Sequence, residues 1–239
     1  MPAFLLTKED TVATLAFNRP EKRNPLNVEV LREMEELLHI VRDDPAVRVL
    51  ILTGSGNSFC AGADLSAVKG ITTPQERQRV FHAQGMRRTS LTARAAMALH
   101  GLEQVTIAAI NGYAVGGGWV MALACDFRIA VEQAEFWFPE VDFGVPLVPE
   151  GCQLLIDVVG SARAKEMILT CRRYKTAELQ QMGMIHQVVP AIQFHETVTV
   201  LAQNLAGKKQ EAAGWSKTTI NALARGQQVL RSDLLLRRE

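Results

Sequence analysis

Apolar runs alternate along the chain with segments of helical periodicity. Residues 11–17, TVATLAF, are short and β-prone and end in the turn-forming sequence NRP, which predicts a strand that runs into a turn. Asn27 is placed to cap a helix over roughly residues 28–42. Apolar side chains recur in that helix at spacings of three and four, at Leu31, Met34, Leu38 and Val41. We therefore predict a strand followed by a helix with one buried face.

Two later runs are almost continuously apolar. VRVLILT at 47–53 and VTIAAI at 105–110 have the composition of strands that are covered on both faces. Between them, residues 54–65 are rich in turn-forming residues, and residues 73–100 are largely helical in pattern. The resulting order of strand, helix, strand, loop, helix and strand predicts an α/β layer architecture with crossover connections.

The pattern after residue 190 indicates helices only. Pro190 precedes the first predicted helix, and Gly207 separates it from a second one around residues 210–225. We therefore divide the chain into a core of residues 1–190 and a small helical appendage of residues 191–239. No linker-like composition marks the boundary between them.

Charge and cysteine content narrow the functional classes. Lysine and arginine total 26 against 25 for aspartate and glutamate, so no global field favours nucleic acid or an anionic membrane. The four cysteines include no CxxC pair, so the sequence signals neither a disulfide framework nor a zinc site. No secretory signal or 18-residue uncharged apolar stretch occurs. We expect a cytoplasmic protein that binds neither nucleic acid nor a membrane.

Three consecutive glycines stand out in NGYAVGGGWV at 111–120. A Walker loop is excluded, because Gly118 and Trp119 occupy the positions of its lysine and its serine or threonine, and a dinucleotide fingerprint does not fit either. One remaining interpretation is tight packing of a strand-to-helix turn. The other is close approach of the backbone to a ligand at a helix N-terminus, where free N–H groups favour negative charge.

A second turn of small residues favours the ligand interpretation. SFCAGADLS at 58–66 follows a predicted buried strand and places Ala61, Gly62 and Ala63 where no bulky side chain covers the backbone N–H groups. Two such turns at the ends of two core strands are able to supply two donors to one developing oxyanion.

These blocks resemble a known superfamily. FCAGADL at 59–65, NGYAVGGG at 111–118 and FPEVDFGV at 138–145 are similar, in order and spacing, to the signature blocks of the crotonase or enoyl-CoA hydratase/isomerase superfamily. The similarity extends through NRPEKRNPLN at 18–27 and the later MILT and MGMIHQVV segments. It implies an α/β spiral of ββα units with a C-terminal helical appendage that supports a homotrimer or a dimer of trimers. It also implies an acyl-CoA thioester substrate and no metal or separate cofactor.

The resemblance also implies a binding site. The N–H groups of Ala63 and Gly117 would bind the thioester oxygen, and the pantetheine and nucleotide would lie near residues 23–26 and along residues 61–65. Arg23 would contact a nucleotide phosphate, although an exposed arginine in a turn is equally typical of solvated surface. The substrate-binding residues predicted in this way are Arg23, Leu26, Ala61, Asp64, Leu65, Gly116 and Pro139.

Two glutamates are candidates for the acid–base chemistry. Hydratases of the family use two, and Val120 occupies the position of the first, where it cannot hold or activate water. The second is Glu140, whose apolar neighbours predict a raised pKa if it is buried. The alternative for Glu140 is a surface glutamate that follows a proline.

Glu150 is the other candidate, in the sequence LVPEGCQLL at 147–155. Its PEGC quartet resembles the peroxisomal-type Δ3,Δ2-enoyl-CoA isomerases, in which that glutamate is the catalytic base. The alternative is a carboxylate that interacts with the dipole of a helix opened by Pro149. We expect an enoyl-CoA isomerase with Glu150 or Glu140 as the proton shuttle. A hydratase that uses both glutamates, or a noncatalytic acyl-CoA-binding protein, is the alternative.

Overall fold

Ten strands and seven α-helices make up the described part of the chain, residues 2–71 and 73–226 of a computed structural model. The strands are β1 (Phe4–Glu9), β2 (Val12–Phe17), β3 (Val49–Gly54), β4 (Ser58–Cys60), β5 (Val105–Ile110), β6 (Tyr113–Val115), β7 (Phe127–Val131), β8 (Glu135–Trp137), β9 (Tyr174–Lys175) and β10 (Gln187–Val189). The helices are α1 (Val28–Asp43), α2 (Pro74–His100), α3 (Gly117–Ala124), α4 (Pro149–Thr170), α5 (Thr176–Gln181), α6 (Ala191–Ala206) and α7 (Gln210–Ala224).

The larger sheet has six strands in the order β1-β2-β3-β5-β7-β10. Its first pair is antiparallel and the other four pairs are parallel. The predicted strands at 11–17, 47–53 and 105–110 are confirmed as β2, β3 and β5. The sequence pattern missed β1, because Phe4 is the only fully buried residue of this edge strand and its remaining residues do not alternate as a half-buried strand does.

The smaller sheet determines where the functional residues lie. Its order is β4-β6-β8-β9, with β4, β6 and β8 parallel and β9 antiparallel to β8. The C-terminal ends of β4, β6 and β8 and the N-terminal end of β9 therefore share one edge. The small-residue turn at 61–63, the glycine turn at 116–118 and Glu140 all follow strands at this edge.

Helix α1 confirms the prediction made from its apolar spacing. The Asn27 side chain accepts a hydrogen bond of 2.8 Å from the Val30 N–H group, which caps the helix. The predicted inward face is buried at Leu31, Met34, Leu38 and Val41. Helix α4 is kinked at Gly160, whose φ of 72° lies outside the helical region.

The last two described helices pack on the core in different ways. Helix α6 buries Val198, Ala202 and Ala206 in an apolar cluster that includes residues of β3, β5 and β7. Helix α7 inserts the buried Lys217, whose Nζ lies 2.8 Å from the Asp126 carboxylate and donates a hydrogen bond of 2.9 Å to a backbone carbonyl. Both predicted C-terminal helices are confirmed.

The division at residue 190 and a role of the appendage in trimer formation remain predictions. Part of that appendage, residues 227–239, lies outside the described residues. In the described part of the chain, no helix combines the length and the apolar character needed to cross a membrane.

Candidate active site

A cavity of about 480 Å³ opens at the shared edge of the smaller sheet. Its walls come from the turns after β4, β6 and β8, from the segment that leads into α4 and from the residues before β9. The predicted site residues that line it are Leu26, Ala61, Ala63, Leu65, Gly116, Gly117, Pro139 and Glu140. The fold thus brings both predicted oxyanion donors and one predicted acid–base group to one cavity.

The glycine run packs so closely against neighbouring atoms on two sides that two of its positions have no room for a side chain. Gly116 has a φ of 50°, and a Cβ atom built on it would lie 2.5 Å from Oε1 of Glu140. A Cβ atom on Gly118 would lie 2.4 Å from the carbonyl oxygen of Cys60. The run therefore packs tightly against β4 and also lets the Glu140 carboxylate lie against the start of α3, so both interpretations of the sequence apply.

The N–H groups of Ala63 and Gly117, the two predicted donors, have no backbone acceptor in the described residues. Gly117 is the first residue of α3, where helical N–H groups have no intrahelical partner. Ala63 forms an isolated bridge with Leu26, and the two bridge bonds use the carbonyl of Gly62 and the N–H group of Asp64. A Cβ atom on Gly62 would lie 3.7 Å from the Gly117 nitrogen, so the two turns are adjacent.

Glu140 is held in an apolar environment. Its Oε2 atom is buried and has no hydrogen-bond partner in the described part of the chain. The residue as a whole is half-buried and lines the cavity. Desolvation raises the pKa of the Glu140 carboxyl to about 7, because burial penalises the charged form. Near neutral pH this group is therefore able both to accept and to donate a proton.

Val120 forms an apolar part of the cavity wall. It is fully buried and belongs to α3, two residues after the last glycine of the run. A Cβ atom on Gly151 would lie 2.8 Å from Cγ2 of Val120 and 3.1 Å from Cγ2 of Val148. Helix α4 therefore packs closely against both valines at Gly151. Neither valine offers a hydrogen-bond partner to a water molecule at this wall.

Three predicted site residues do not line the cavity. The Arg23 side chain is exposed and its guanidinium lies 5.4 Å from the centre of the Tyr113 ring. Asp64 forms an ion pair of 3.3 Å with Arg19 and caps the short helix that follows it. Glu150 is half-buried in the first turn of α4. Their roles in binding or catalysis remain predictions.

The structure adds cavity residues that the sequence reasoning did not single out, among them Thr92, Asp142, Cys171 and Arg173. The sequence signal for Arg173 was a pair of arginines before a short strand, RRYK at 172–175. That signal was insufficient, because it does not indicate which of the two arginines lines the cavity. In the described residues, no group of three or more histidine, cysteine, aspartate or glutamate side chains is arranged to hold a metal ion.

Comparisons with known proteins identify the family of the chain. Residues 7–234 match the family described as enoyl-CoA hydratase/isomerase. A crotonyl-CoA hydratase of Syntrophomonas wolfei is 36% identical over 218 residues, which cover 91% of this chain and 80% of that protein. A short-chain-enoyl-CoA hydratase of Clostridium acetobutylicum is 36% identical over 219 residues, again 91% of this chain and 80% of that protein.

Solved structures show the same relationship. The enoyl-CoA hydratase from Bacillus anthracis superposes with a TM-score of 0.83 at 32% identity and covers 98% of this chain and 87% of its own. An enoyl-CoA hydratase/carnithine racemase from Magnetospirillum magneticum gives a TM-score of 0.89 at 27% identity, over 100% of this chain and 87% of its own. With its crotonase fold, the chain belongs to the enoyl-CoA hydratase/isomerase family of acyl-CoA enzymes.

Proposed function

We propose that the protein transfers a proton on an enoyl-CoA thioester, with Glu140 as the base and the N–H groups of Ala63 and Gly117 as donors to the thioester oxygen. The observation that carries this proposal is the Glu140 carboxylate, which lines the cavity beside the glycine turn and has a pKa raised to about 7. In related catalytic sites, one preorganised donor to such an oxygen contributes about 2.7–4 kcal/mol.

The reaction that this geometry favours is isomerisation of a 3-enoyl-CoA to a 2-enoyl-CoA. Glu140 takes a proton from C2, and the electron pair of that C–H bond delocalises toward the thioester oxygen as a dienolate. The protonated Glu140 then returns the proton at C4, and the double bond comes to lie between C2 and C3. One carboxylate suffices for both steps, and the apolar Val120 does not hold a competing water molecule.

Hydration of a 2-enoyl-CoA is the second candidate, and the relatives favour it. Both relatives named above are hydratases by their names. Hydration needs a positioned water molecule, and the sequence reasoning assigned that task to Glu140 and Glu150 together. Glu150 does not line the cavity. We therefore place isomerisation first on the geometry of the site, although relatedness alone favours hydration.

Incubation with a matched pair of substrates distinguishes these reactions. The enzyme receives trans-3-hexenoyl-CoA or trans-2-hexenoyl-CoA, and the conjugated thioester and the 3-hydroxyacyl product are measured separately. We expect conversion of the 3-enoyl to the 2-enoyl thioester to be the faster reaction. Faster water addition would identify a hydratase. Binding of both esters without turnover would identify a noncatalytic acyl-CoA-binding protein.

A further inference from the structure

The smaller sheet arranges the cavity residues in a fixed order. Residues 61–63 follow β4, the glycine turn follows β6, Glu140 follows β8, and Arg173 directly precedes β9 at the far edge. Neighbouring strands lie about 4.8 Å apart, so β4 and β9 are separated by about 14 Å. The CoA portion is predicted at the β4 side and the reacting carbons lie near Glu140. Arg173 therefore lies beyond the reacting carbons, on the side of the acyl tail.

Cross-strand pairing fixes the position of Arg173. Glu135 is directly opposite Lys175 in the antiparallel pair of β8 and β9, so Arg173 comes opposite Trp137 at the next position on the same face. The guanidinium lies 4.4 Å from the centre of the Trp137 ring. Stacking on the ring supports the guanidinium plane and leaves its edge N–H groups free to donate.

The charge of Arg173 is only partly balanced by the protein. Glu135 is hydrogen-bonded to Lys175, and its other oxygen lies 3.6 Å from a guanidinium nitrogen of Arg173, beyond hydrogen-bond distance. Arg173 makes no hydrogen bond in the described residues, and its side chain is 65% exposed. Asp142, the exposed acidic residue of the lining, forms no ion pair with Arg173 in the same part of the chain.

The neighbouring Arg172, unlike Arg173, is hydrogen-bonded within the protein. Both of its terminal guanidinium nitrogens donate to the carboxylate of Glu178, one of them at 3.1 Å, and its guanidinium stacks on Tyr174. Arg172 does not line the cavity. Of the two adjacent arginines, Arg172 is hydrogen-bonded to a carboxylate, whereas Arg173 lines the cavity and has an ion pair of 3.6 Å with Glu135 but no hydrogen bond in the described residues.

We propose that Arg173 binds a carboxylate at the far end of the acyl chain, so that the preferred substrates are enoyl-CoA thioesters of dicarboxylic acids. A guanidinium held by a ring is suited to bidentate recognition of a carboxylate. This inference rests on the proposed function, since the predicted position of the thioester defines which end of the ligand reaches β9. It concerns the recognition of the chain end and not the proton transfer.

The sheet also limits the length of the acyl chain. The thioester oxygen is predicted to lie near β6. The distance from β6 to β9 is two strand spacings, or about 10 Å. A hydrogen bond takes about 3 Å of that distance. An extended chain advances about 1.2 Å per bond, so the remaining distance corresponds to about five to eight carbons.

Binding of unreactive esters tests the inference independently of catalysis. Hexanedioyl-CoA, hexanoyl-CoA and free CoA are titrated calorimetrically into the wild type and into the Arg173→Gln and Arg172→Gln variants. We expect the wild type to bind hexanedioyl-CoA more tightly than hexanoyl-CoA. Arg173→Gln is expected to weaken the binding of hexanedioyl-CoA by about 10-fold and to leave the binding of the other two ligands unchanged. Arg173→Lys keeps a charge and is expected to recover part of the loss. Arg172→Gln is expected to leave the ratio between the two esters unchanged.

Two binding results would overturn the inference. If Arg173→Gln weakened the binding of all three ligands equally, Arg173 would contact a phosphate of CoA and not the end of the acyl chain. The absence of a wild-type preference for hexanedioyl-CoA would exclude recognition of the chain end. Turnover of trans-3-hexenoyl-CoA and trans-3-hexenedioyl-CoA separates this failure from that of the proposed function. If neither ester is isomerised or hydrated, the proposed function fails, while the binding ratios still decide the role of Arg173.

Discussion

Of the three Pro-Glu dipeptides in the chain, the two at 139–140 and 149–150 lie near the cavity and have different surroundings. In the first copy, Glu140 follows a strand and its carboxylate lies against Gly116, with one oxygen buried and without a partner in the described residues. In the second copy, Pro149 opens a helix and Glu150 lies half-buried in its first turn. The dipeptide alone therefore does not indicate which carboxylate lines the cavity, because that depends on the preceding element.

Removing the carboxylate of Glu140 is expected to give the largest effect. Glu140→Gln keeps the size of the side chain but cannot accept the C2 proton, so kcat should fall by about 10²–10⁴-fold. Calorimetric binding of hexanoyl-CoA should change little. A Glu140→Gln protein with near-normal turnover beside an inactive Glu150→Gln protein would reverse the comparison and move the base to the PEGC motif.

Displacing Glu140 without removing it is expected to have an intermediate effect. In Gly116→Ala the new Cβ atom would lie 2.5 Å from Oε1 of Glu140, so the carboxylate must move. A displacement of about 1 Å is sufficient to reduce kcat/KM by about 10²-fold. Gly183→Ala is the matched control, since Gly183 also has a positive φ of 75° but nothing lies within 4 Å of its Cβ position. Both variants should lose stability, and only Gly116→Ala should lose activity.

The pH dependence of turnover is a third test, with a smaller effect. Burial raises the pKa of Glu140 to about 7, so the free enzyme holds the proton below that pH and its base form is depleted. For isomerisation, kcat/KM should rise with pH through about 7 and level off above it, with about a tenfold loss one unit below the midpoint. A profile that is flat from pH 5.5 to 8.5 would contradict the assignment of Glu140 as the base.

The smallest effect is expected from Glu150→Gln. Because Glu150 does not line the cavity, its loss should change kcat/KM by less than about threefold and leave the midpoint of the pH profile in place. The same variant assayed for water addition to trans-2-hexenoyl-CoA tests the hydratase alternative. Selective loss of hydration in Glu150→Gln would show that this carboxylate reaches the substrate and would support the two-glutamate mechanism.

The sequence was most informative where periodicity or a signature block fixed the backbone. The buried stripe of α1, the strands β3 and β5, and the two small-residue turns were all predicted, because each depends on local composition. Edge strand β1 was missed because only Phe4 is fully buried. The position of Glu150 and the availability of Arg173 depend on how α4 and β9 pack. Both features depend on tertiary contacts, so the local sequence around each residue does not predict them.

The ion pair between the buried Lys217 and the half-buried Asp126 has a consequence for synthesis of the protein. Asp126 also accepts hydrogen bonds from the N–H and hydroxyl groups of Thr106, but those donors are neutral, and the cation that forms an ion pair with it in the described residues comes from α7. During translation, Asp126 is synthesised well before Lys217, so its carboxylate has no lysine partner until α7 has been made. A half-buried carboxylate without its ion-pair partner destabilises the folded chain, because it stays partly desolvated. The pair therefore makes the stability of the core depend on α7, and chains truncated before α7 are expected to unfold more readily and to be cleaved faster by proteases.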